Sequence, residues 1–200
     1  MGFDARRYAS IDLELTPLGA WAVLGLPLSE LEGQTVTLHD AFGSSATQLV
    51  DELHDAPDWD SRFDVIERFL LARAETGPRP TPAVSRALER LWKTNGRERV
   101  DSLAAELGCS RRYLHARFRE QVGLAPKTVA RLIRFGAVRR RIERAPTSWA
   151  DIAYECGYAD QSHLNRDFRE LAGTTPTDFV TRLLPGYGGV MGDGVPFVQD

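Results

Sequence analysis

The 200-residue chain has few cysteines and no long apolar stretch. Its two cysteines, Cys109 and Cys156, are too few for a disulfide framework, and their spacing does not match a zinc site. The longest apolar segment, residues 18–28, is about half of what a membrane-spanning helix needs, so we expect no transmembrane helix. Residues 1–10 carry charges and no apolar run, and we expect no secretory signal there. These absences favour a cytoplasmic protein without a metal or other cofactor.

The small net charge of −3 conceals an uneven distribution of charge along the chain. Residues 1–80 contain 6 arginines and 14 acidic residues, whereas residues 81–184 contain 19 basic and 12 acidic residues. Such asymmetry favours an acidic module joined to one that binds a polyanion. Charge alone fits two solvated surfaces equally well, so the choice depends on motifs.

Residues 1–80 predict a small, mostly helical module with one or two strands. Apolar and polar residues alternate over 11–15, which is typical of a strand, and residues 36–38 favour a second, brief strand. Apolar residues at helical spacing predict helices near 45–54 and 58–75. The expected core of this module is Trp59, Phe63, Ile66 and Leu70.

A linker, Gly-Pro-Arg-Pro at 77–80, precedes a second region that is helical throughout. Thr81 and Pro82 have the residue types of a helix N-cap and first helical position, and Asn95-Gly96 is typical of a helix end. We therefore divide the chain into residues 1–80, residues 81–184 and a flexible, glycine-rich tail at 185–200.

The second region contains an internal repeat. Residues 103–108 match residues 152–157 in pattern, and after one extra residue in the turn the match continues through Phe118 and Phe168 to Pro126 and Pro176. Each copy predicts a helix, a tight turn and a second helix, which is the helix-turn-helix layout. In that layout the second helix enters the major groove of DNA.

Particular residues support this layout in both copies. Gly108 and Gly157 stand where the first helix ends, a position that favours left-handed backbone. Ser110 and Asp160 have the residue types that cap the second helix. A long helix predicted over 126–144 would span about 28 Å, close to the ~34 Å turn of B-DNA, and would place the two second helices in successive grooves.

The second copy carries the most specific motif of the chain. It contains Ala150-Asp151-Ile152-Ala153, Cys156-Gly157-Tyr158, Asp160-Gln161-Ser162-His163-Leu164 and Gly173-Thr174-Thr175-Pro176. This run resembles the AraC family of bacterial transcription regulators, and the resemblance covers residues 82–184. It implies a mainly α fold, with two helix-turn-helix subdomains joined by a long helix. Residues 1–75 look like only the last strand and the helices of that family's N-terminal regulatory domain.

The residues opposite the buried Leu/Phe stripe of each second helix are candidates for base contact. Arginine suits guanine, glutamine suits adenine, and an alanine methyl suits the thymine methyl. For Arg166 the alternatives are phosphate contact or packing within the domain. By resemblance, the base-contact candidates are Arg112, His115, Ala116, Gln161, Ser162, Asn165 and Arg166. The candidates for phosphate contact are Ser110, Arg111, Lys127, Arg131, Arg139, Arg140 and His163.

Three functions compete at this level. A sequence-specific DNA-binding regulator is favoured, with duplex DNA as partner and with RNA polymerase and a second copy of the chain as candidate partners. A DNA-alkylation repair enzyme is disfavoured because that chemistry needs activated thiols, and both cysteines lie within the repeat. In the third, the chain is a protein-interaction or ligand-sensing module in which residues 1–75 dimerise or bind an unidentified small molecule, and DNA binding is secondary. For Cys156 and Trp149 we expect buried packing roles.

Overall fold

The computed structural model describes residues 10–142, 148–183, 190–191 and 195–196. Within these ranges the chain is mainly helical, as the sequence predicts. It forms two compact units. Of the described residues, the first contains 10–80 and 120–123, and the second contains 81–119 and those from 124 onwards.

Residues 10–80 of the first unit form four α-helices and one short 3₁₀-helix. α4 packs against α1 and α3, and Arg73 of α4 donates hydrogen bonds to the carbonyl oxygens of Val23 and Leu24 at the end of α1. The α-helices are α1 (Pro17–Leu24), α2 (Leu38–Phe42), α3 (Ser44–Asp55) and α4 (Trp59–Thr76), and the 3₁₀-helix is Leu28–Leu31.

The two strands predicted in this unit are wrong. Residues 11–15 have no regular structure, and among the described residues of this unit no strand is present to pair with them. Residue 38 instead begins α2, because Thr37 and Asp40 form a reciprocal capping box that favours a helix. Alternation of apolar residues makes a strand only where a neighbouring strand accepts its hydrogen bonds.

The predicted core of α4 is half wrong. Ile66 is buried and Leu70 is half-buried, but Trp59 is 45% exposed and Phe63 is 53% exposed. The inner face of α4 instead includes Arg62, whose guanidinium donates to carbonyl oxygens at the end of α3. The aliphatic part of an arginine side chain can pack against apolar groups while its guanidinium binds carbonyl oxygens. The buried face of α4 therefore includes Arg62 and is rotated away from Trp59 and Phe63.

The second unit contains the two predicted helix-turn-helix pairs. The first pair is α6 and α7, the second is α9 and α10, and α8 joins them. The helix bounds are α5 (Pro82–Lys93), α6 (Val100–Glu106), α7 (Arg111–Val122), α8 (Pro126–Ile142), α9 (Trp149–Glu155), α10 (Gln161–Ala172) and α11 (Pro176–Leu183). The predicted continuation of α8 to residue 144 lies outside the described residues. Of the predicted tail, the structure describes β1 (Val190–Met191) and β2 (Val195–Pro196), which pair antiparallel.

The turn after α5 anchors this helix to α8. Asn95 and Gly96 both have positive φ, at 50° and 72°, and they end the helix as predicted. A β-carbon on Gly96 would lie 2.1 Å from the carbonyl oxygen of Ala130, so only glycine fits this close approach. Arg134 of α8 donates to the Gly96 carbonyl at 2.9 Å. The first subdomain is thereby held to the N-terminal half of α8.

An aromatic cluster forms the core around α10. Phe168 is fully buried and contacts the rings of Phe135, Phe179 and Trp149. Trp149 is 3% exposed, and its indole N–H donates to Thr177 at 3.1 Å, which agrees with its expected packing role. In the described part of the chain, no helix has both the length and the hydrophobicity needed to cross a bilayer.

Candidate DNA interface

Local capping orients the first recognition helix, α7. The hydroxyl of Ser110 accepts the N–H of Tyr113 at 3.1 Å, as its predicted cap role requires. Leu114 and Phe118 are fully buried. The opposite face is solvent-exposed and carries Arg112, His115 and Ala116. α7 therefore presents its base-contact candidates on the face opposite its core.

The second recognition helix, α10, is built in the same way. The Asp160 carboxylate accepts the N–H of His163 at 2.7 Å, and the carboxylate also complements the positive end of the helix dipole. Leu164 and Phe168 point inward and are fully buried. On the outer face Ser162 and Arg166 are exposed, whereas Gln161 and Asn165 are half-buried.

A cleft of about 1040 Å³ lies between the two helix-turn-helix subdomains. Seven of its lining side chains are cationic and two are carboxylates, so its net charge is strongly positive. The cations are Arg97, Arg99, Arg111, Arg112, Lys127, Arg131 and Arg134, and the carboxylates are Glu98 and Asp101. His115 of α7 and His163 of α10 also line it. The cleft is thus bordered by both recognition helices.

The cations of this cleft differ in whether protein groups already bind them. Arg111 pairs with Asp101 at 2.6 Å. Arg131 pairs with two carboxylates of α10, and Arg134 stacks 5.3 Å from the centre of the Tyr158 ring. The remaining cations of the rim have no acidic partner within the described ranges. They are Arg97, whose side chain packs over Gly157, and Arg99, Arg112 and Lys127.

Four other candidates from the sequence lie elsewhere or have local partners. Arg139 and Arg140 are exposed near the end of α8, outside the cleft lining, and Arg140 donates to the Asn95 side chain at 3.2 Å. The Ser110 hydroxyl already caps α7. His163 packs edge-on against Tyr158 with ring centroids 5.1 Å apart.

Sequence reasoning missed Arg99, which the structure places in the cleft. The available signal was the basic pair Arg97 and Arg99 directly before the first helix of the repeat.

Burial raises the pKa of the Cys156 thiol, which agrees with the predicted structural role of this residue. Among the described residues, no group of three or more His, Cys, Asp or Glu side chains could hold a metal ion.

Solved structures of DNA-binding domains align with about half of the chain. The DNA-binding domain of AdpA, solved in complex with a target DNA, is 24% identical, has a TM-score of 0.48, and covers 54% of this chain and 100% of its own. A transcriptional regulator with an AraC-type DNA-binding domain from Chromobacterium violaceum is 23% identical, has a TM-score of 0.46, and covers 52% of this chain and 96% of its own.

Sequence comparison identifies the domain. The family described as "Helix-turn-helix domain" matches residues 103–182. The HTH-type transcriptional activator RhaS of Escherichia coli (strain SE11) is 32% identical over 78 residues, which are 39% of this chain and 28% of RhaS. Residues 103–182 thus match a helix-turn-helix domain, and they are similar to part of a protein that is named a transcriptional activator. The matched residues contain both α7 and α10, but the chain spans only 28% of the length of the curated relatives that it matches.

Proposed function

We propose that this protein is a transcription regulator that binds duplex DNA in a sequence-specific manner, with α7 and α10 in adjacent major grooves. The observation that carries the proposal is the basic cleft bordered by both recognition helices. A cationic surface attracts the phosphate backbone independently of sequence, and base specificity requires side chains that reach the grooves. The AraC-type domain offers both features on one surface.

Base contacts are assigned to the exposed faces of the two recognition helices. We assign Arg112 and Arg166 to guanine and Gln161 to adenine, because these side chains can form bidentate hydrogen bonds with those bases. Ala116 suits a thymine methyl group, and His115 can donate to guanine or phosphate. Ser162 and Asn165 complete the second set of contacts.

Phosphate contacts are assigned first to the cleft. Arg99 and Lys127 have no acidic partner among the described residues and stand at the rim, where a DNA strand between the two grooves would pass. Of the sequence candidates, Arg111 would first have to leave Asp101, whereas Arg139 is exposed at another position on α8. This ranks Arg99 and Lys127 above Arg111 and Arg139 as backbone contacts.

The further partners follow from a role in transcription. RhaS is named a transcriptional activator. A regulator that activates would contact RNA polymerase, and one that binds a symmetric operator would act as a homodimer. Binding to duplex DNA would place the protein in the cytoplasm with the nucleoid. None of these roles requires catalysis or a cofactor.

Selection from a randomised duplex library with the full-length protein tests the proposal. We expect one enriched site with two short blocks of preferred bases about one helical turn apart. For about six neutralised phosphates, the log–log dependence of affinity on salt should have a slope near −5. No enriched motif, combined with affinity that does not respond to salt, would disprove the proposed function.

A second candidate function is ligand sensing by the first unit. A cavity of about 360 Å³ lies between α3 and α4, with Leu49, Val65 and Phe69 in its lining and the Glu52–Arg68 ion pair beside them. Small-molecule sites commonly combine apolar walls with a few polar groups at this size. A thermal-shift screen with a metabolite panel checks it: a hit abolished by Leu49→Trp would support this site.

A further inference from the structure

We infer that the ion pair between Arg131 and Asp167 sets the distance between the two recognition helices and therefore the half-site spacing that the protein accepts. The inference rests on the proposed function, since it assumes that α7 and α10 enter adjacent grooves. It assigns to Arg131 a positioning role in place of the phosphate contact considered from the sequence.

The contacts of Arg131 join α8 directly to the second recognition helix. Its Nη2 and Nε atoms lie 2.8 and 3.2 Å from the same Oδ1 atom of Asp167, and Nη2 also binds the Glu170 carboxylate. Asp167 belongs to α10, and its side chain is only 5% exposed although it carries a charge. These hydrogen bonds raise the pKa of the Arg131 guanidinium, so it stays charged at every relevant pH.

The same stretch of α8 is fixed to the first subdomain. Ala130 and Ile133 are buried, and the carbonyl of Ala130 meets Gly96 in the turn after α5. One turn further along, Arg134 holds the Gly96 carbonyl. Arg131 therefore extends to α10 from a segment that also contacts the turn after α5, in the first subdomain.

This arrangement leaves little room for adjustment. Adding one base pair between half-sites moves them apart by about 3.4 Å and rotates them by about 35°. Hydrogen bonds of 2.8 and 3.2 Å do not survive a relative movement of that size. Accepting a different spacing would separate Arg131 from Asp167 and leave a buried carboxylate without its cation, which is strongly unfavourable.

The test measures affinity for three duplexes that carry the selected site at its natural spacing, one base pair shorter and one base pair longer. For the wild-type protein we expect altered spacing to weaken binding about tenfold or more. The spacing ratio is the affinity for the natural spacing divided by the affinity for an altered spacing. In Arg131→Gln and in Asp167→Asn this ratio should fall several-fold towards one. A variant that only folds less well would lose affinity equally for all three duplexes, so the ratio isolates positioning.

Arg141→Gln is the matched control. Arg141 also lies on α8 and also pairs with a glutamate, but its partner Glu155 is on α9, within the second subdomain. Its spacing ratio should equal that of the wild type. If Arg131→Gln fails to fold, Arg131→Lys replaces it, because an ammonium group cannot bind both carboxylates through a planar fork.

The outcomes separate the two claims. A wild-type protein that binds no specific duplex refutes the proposed function. A wild-type protein that binds the site but tolerates both altered spacings overturns the inference alone. The inference is also overturned if the wild type discriminates and Arg131→Gln (or Arg131→Lys) and Asp167→Asn retain the full ratio.

Discussion

The side chain of Arg97 occupies the space that a β-carbon on Gly157 would need. An ideal β-carbon there would lie 2.7 Å from Cγ of Arg97. Gly157 also has a φ of 79°, in the left-handed region. Its counterpart in the first repeat, Gly108, has a φ of 65° but no atom within 4 Å of the same position. The two turns share a backbone conformation and differ in what covers them.

This difference predicts unequal costs for the same substitution. Gly108→Ala should lower the free energy of unfolding by about 1–2 kcal/mol, from backbone strain alone. Gly157→Ala should lower it further, because Arg97 must also move. In the double variant Arg97→Ala/Gly157→Ala, the part of this loss that exceeds the loss in Gly108→Ala should disappear. Urea unfolding of the four proteins gives these values, and equal costs at the two glycines would contradict the packing of Arg97.

Gln161 is predicted to contribute specificity with little effect on general affinity. It stands at the first position of α10, directly after the Asp160 cap. Gln161→Ala should relax the preference at one base pair, a loss of roughly 1–3 kcal/mol of discrimination. Binding to unrelated DNA should hardly change. Affinities for a matrix of single-base variants check this, and a uniform loss over all sequences would mean that α10 is oriented differently.

Arg99 is predicted to contribute affinity without specificity. Arg99→Gln should weaken specific and random duplexes to a similar degree, because a phosphate contact carries no base information. It should also reduce the salt slope by about 1. Arg86→Gln is the control: Arg86 is an exposed arginine of α5 outside the cleft lining. If both variants changed the slope equally, the loss would reflect net charge and not the cleft.

The two cysteines are predicted to differ in reactivity. Burial raises the pKa of the Cys156 thiol, so its thiolate fraction at pH 8 falls below that of an ordinary cysteine. Cys109 is half-buried in the first turn. A chromogenic thiol reagent should therefore modify one thiol quickly and the second only on unfolding. Cys109→Ser should remove the fast phase, and loss of the slow phase instead would reverse the assignment.

Local signals in the sequence were sufficient for the helix-turn-helix subdomains. Ser110 and Asp160 cap the recognition helices as predicted, and Gly108 and Gly157 both have positive φ. These features depend on residues within a few positions of one another, so a pattern along the chain contains them. The internal repeat then related the two distant copies to each other, since similar sequences were expected to fold into the same helix-turn-helix structure.

Features that depend on distant residues could not be predicted. The pairing of Arg131 with Asp167 joins residues 36 positions apart, and the sequence alone favoured phosphate as the partner of Arg131. Trp59 and Phe63 are exposed because Arg62 and Arg73 occupy the inner face of α4, where their guanidinium groups donate hydrogen bonds to carbonyl oxygens of other helices. Alternation at 11–15 likewise says nothing about whether a second strand is near.

Each compact unit has one tryptophan shielded from water and one that is largely in contact with it. Trp21 and Trp149 are 8% and 3% exposed, whereas Trp59 and Trp92 are 45% and 51% exposed. Indole emission shifts to longer wavelength in water, so unfolding should change the emission of the half-exposed pair less than that of the buried pair. The buried pair therefore supplies most of the spectral change, with one buried fluorophore for each unit. Trp21→Phe leaves Trp149 as the main optical reporter of the second unit, without any added label.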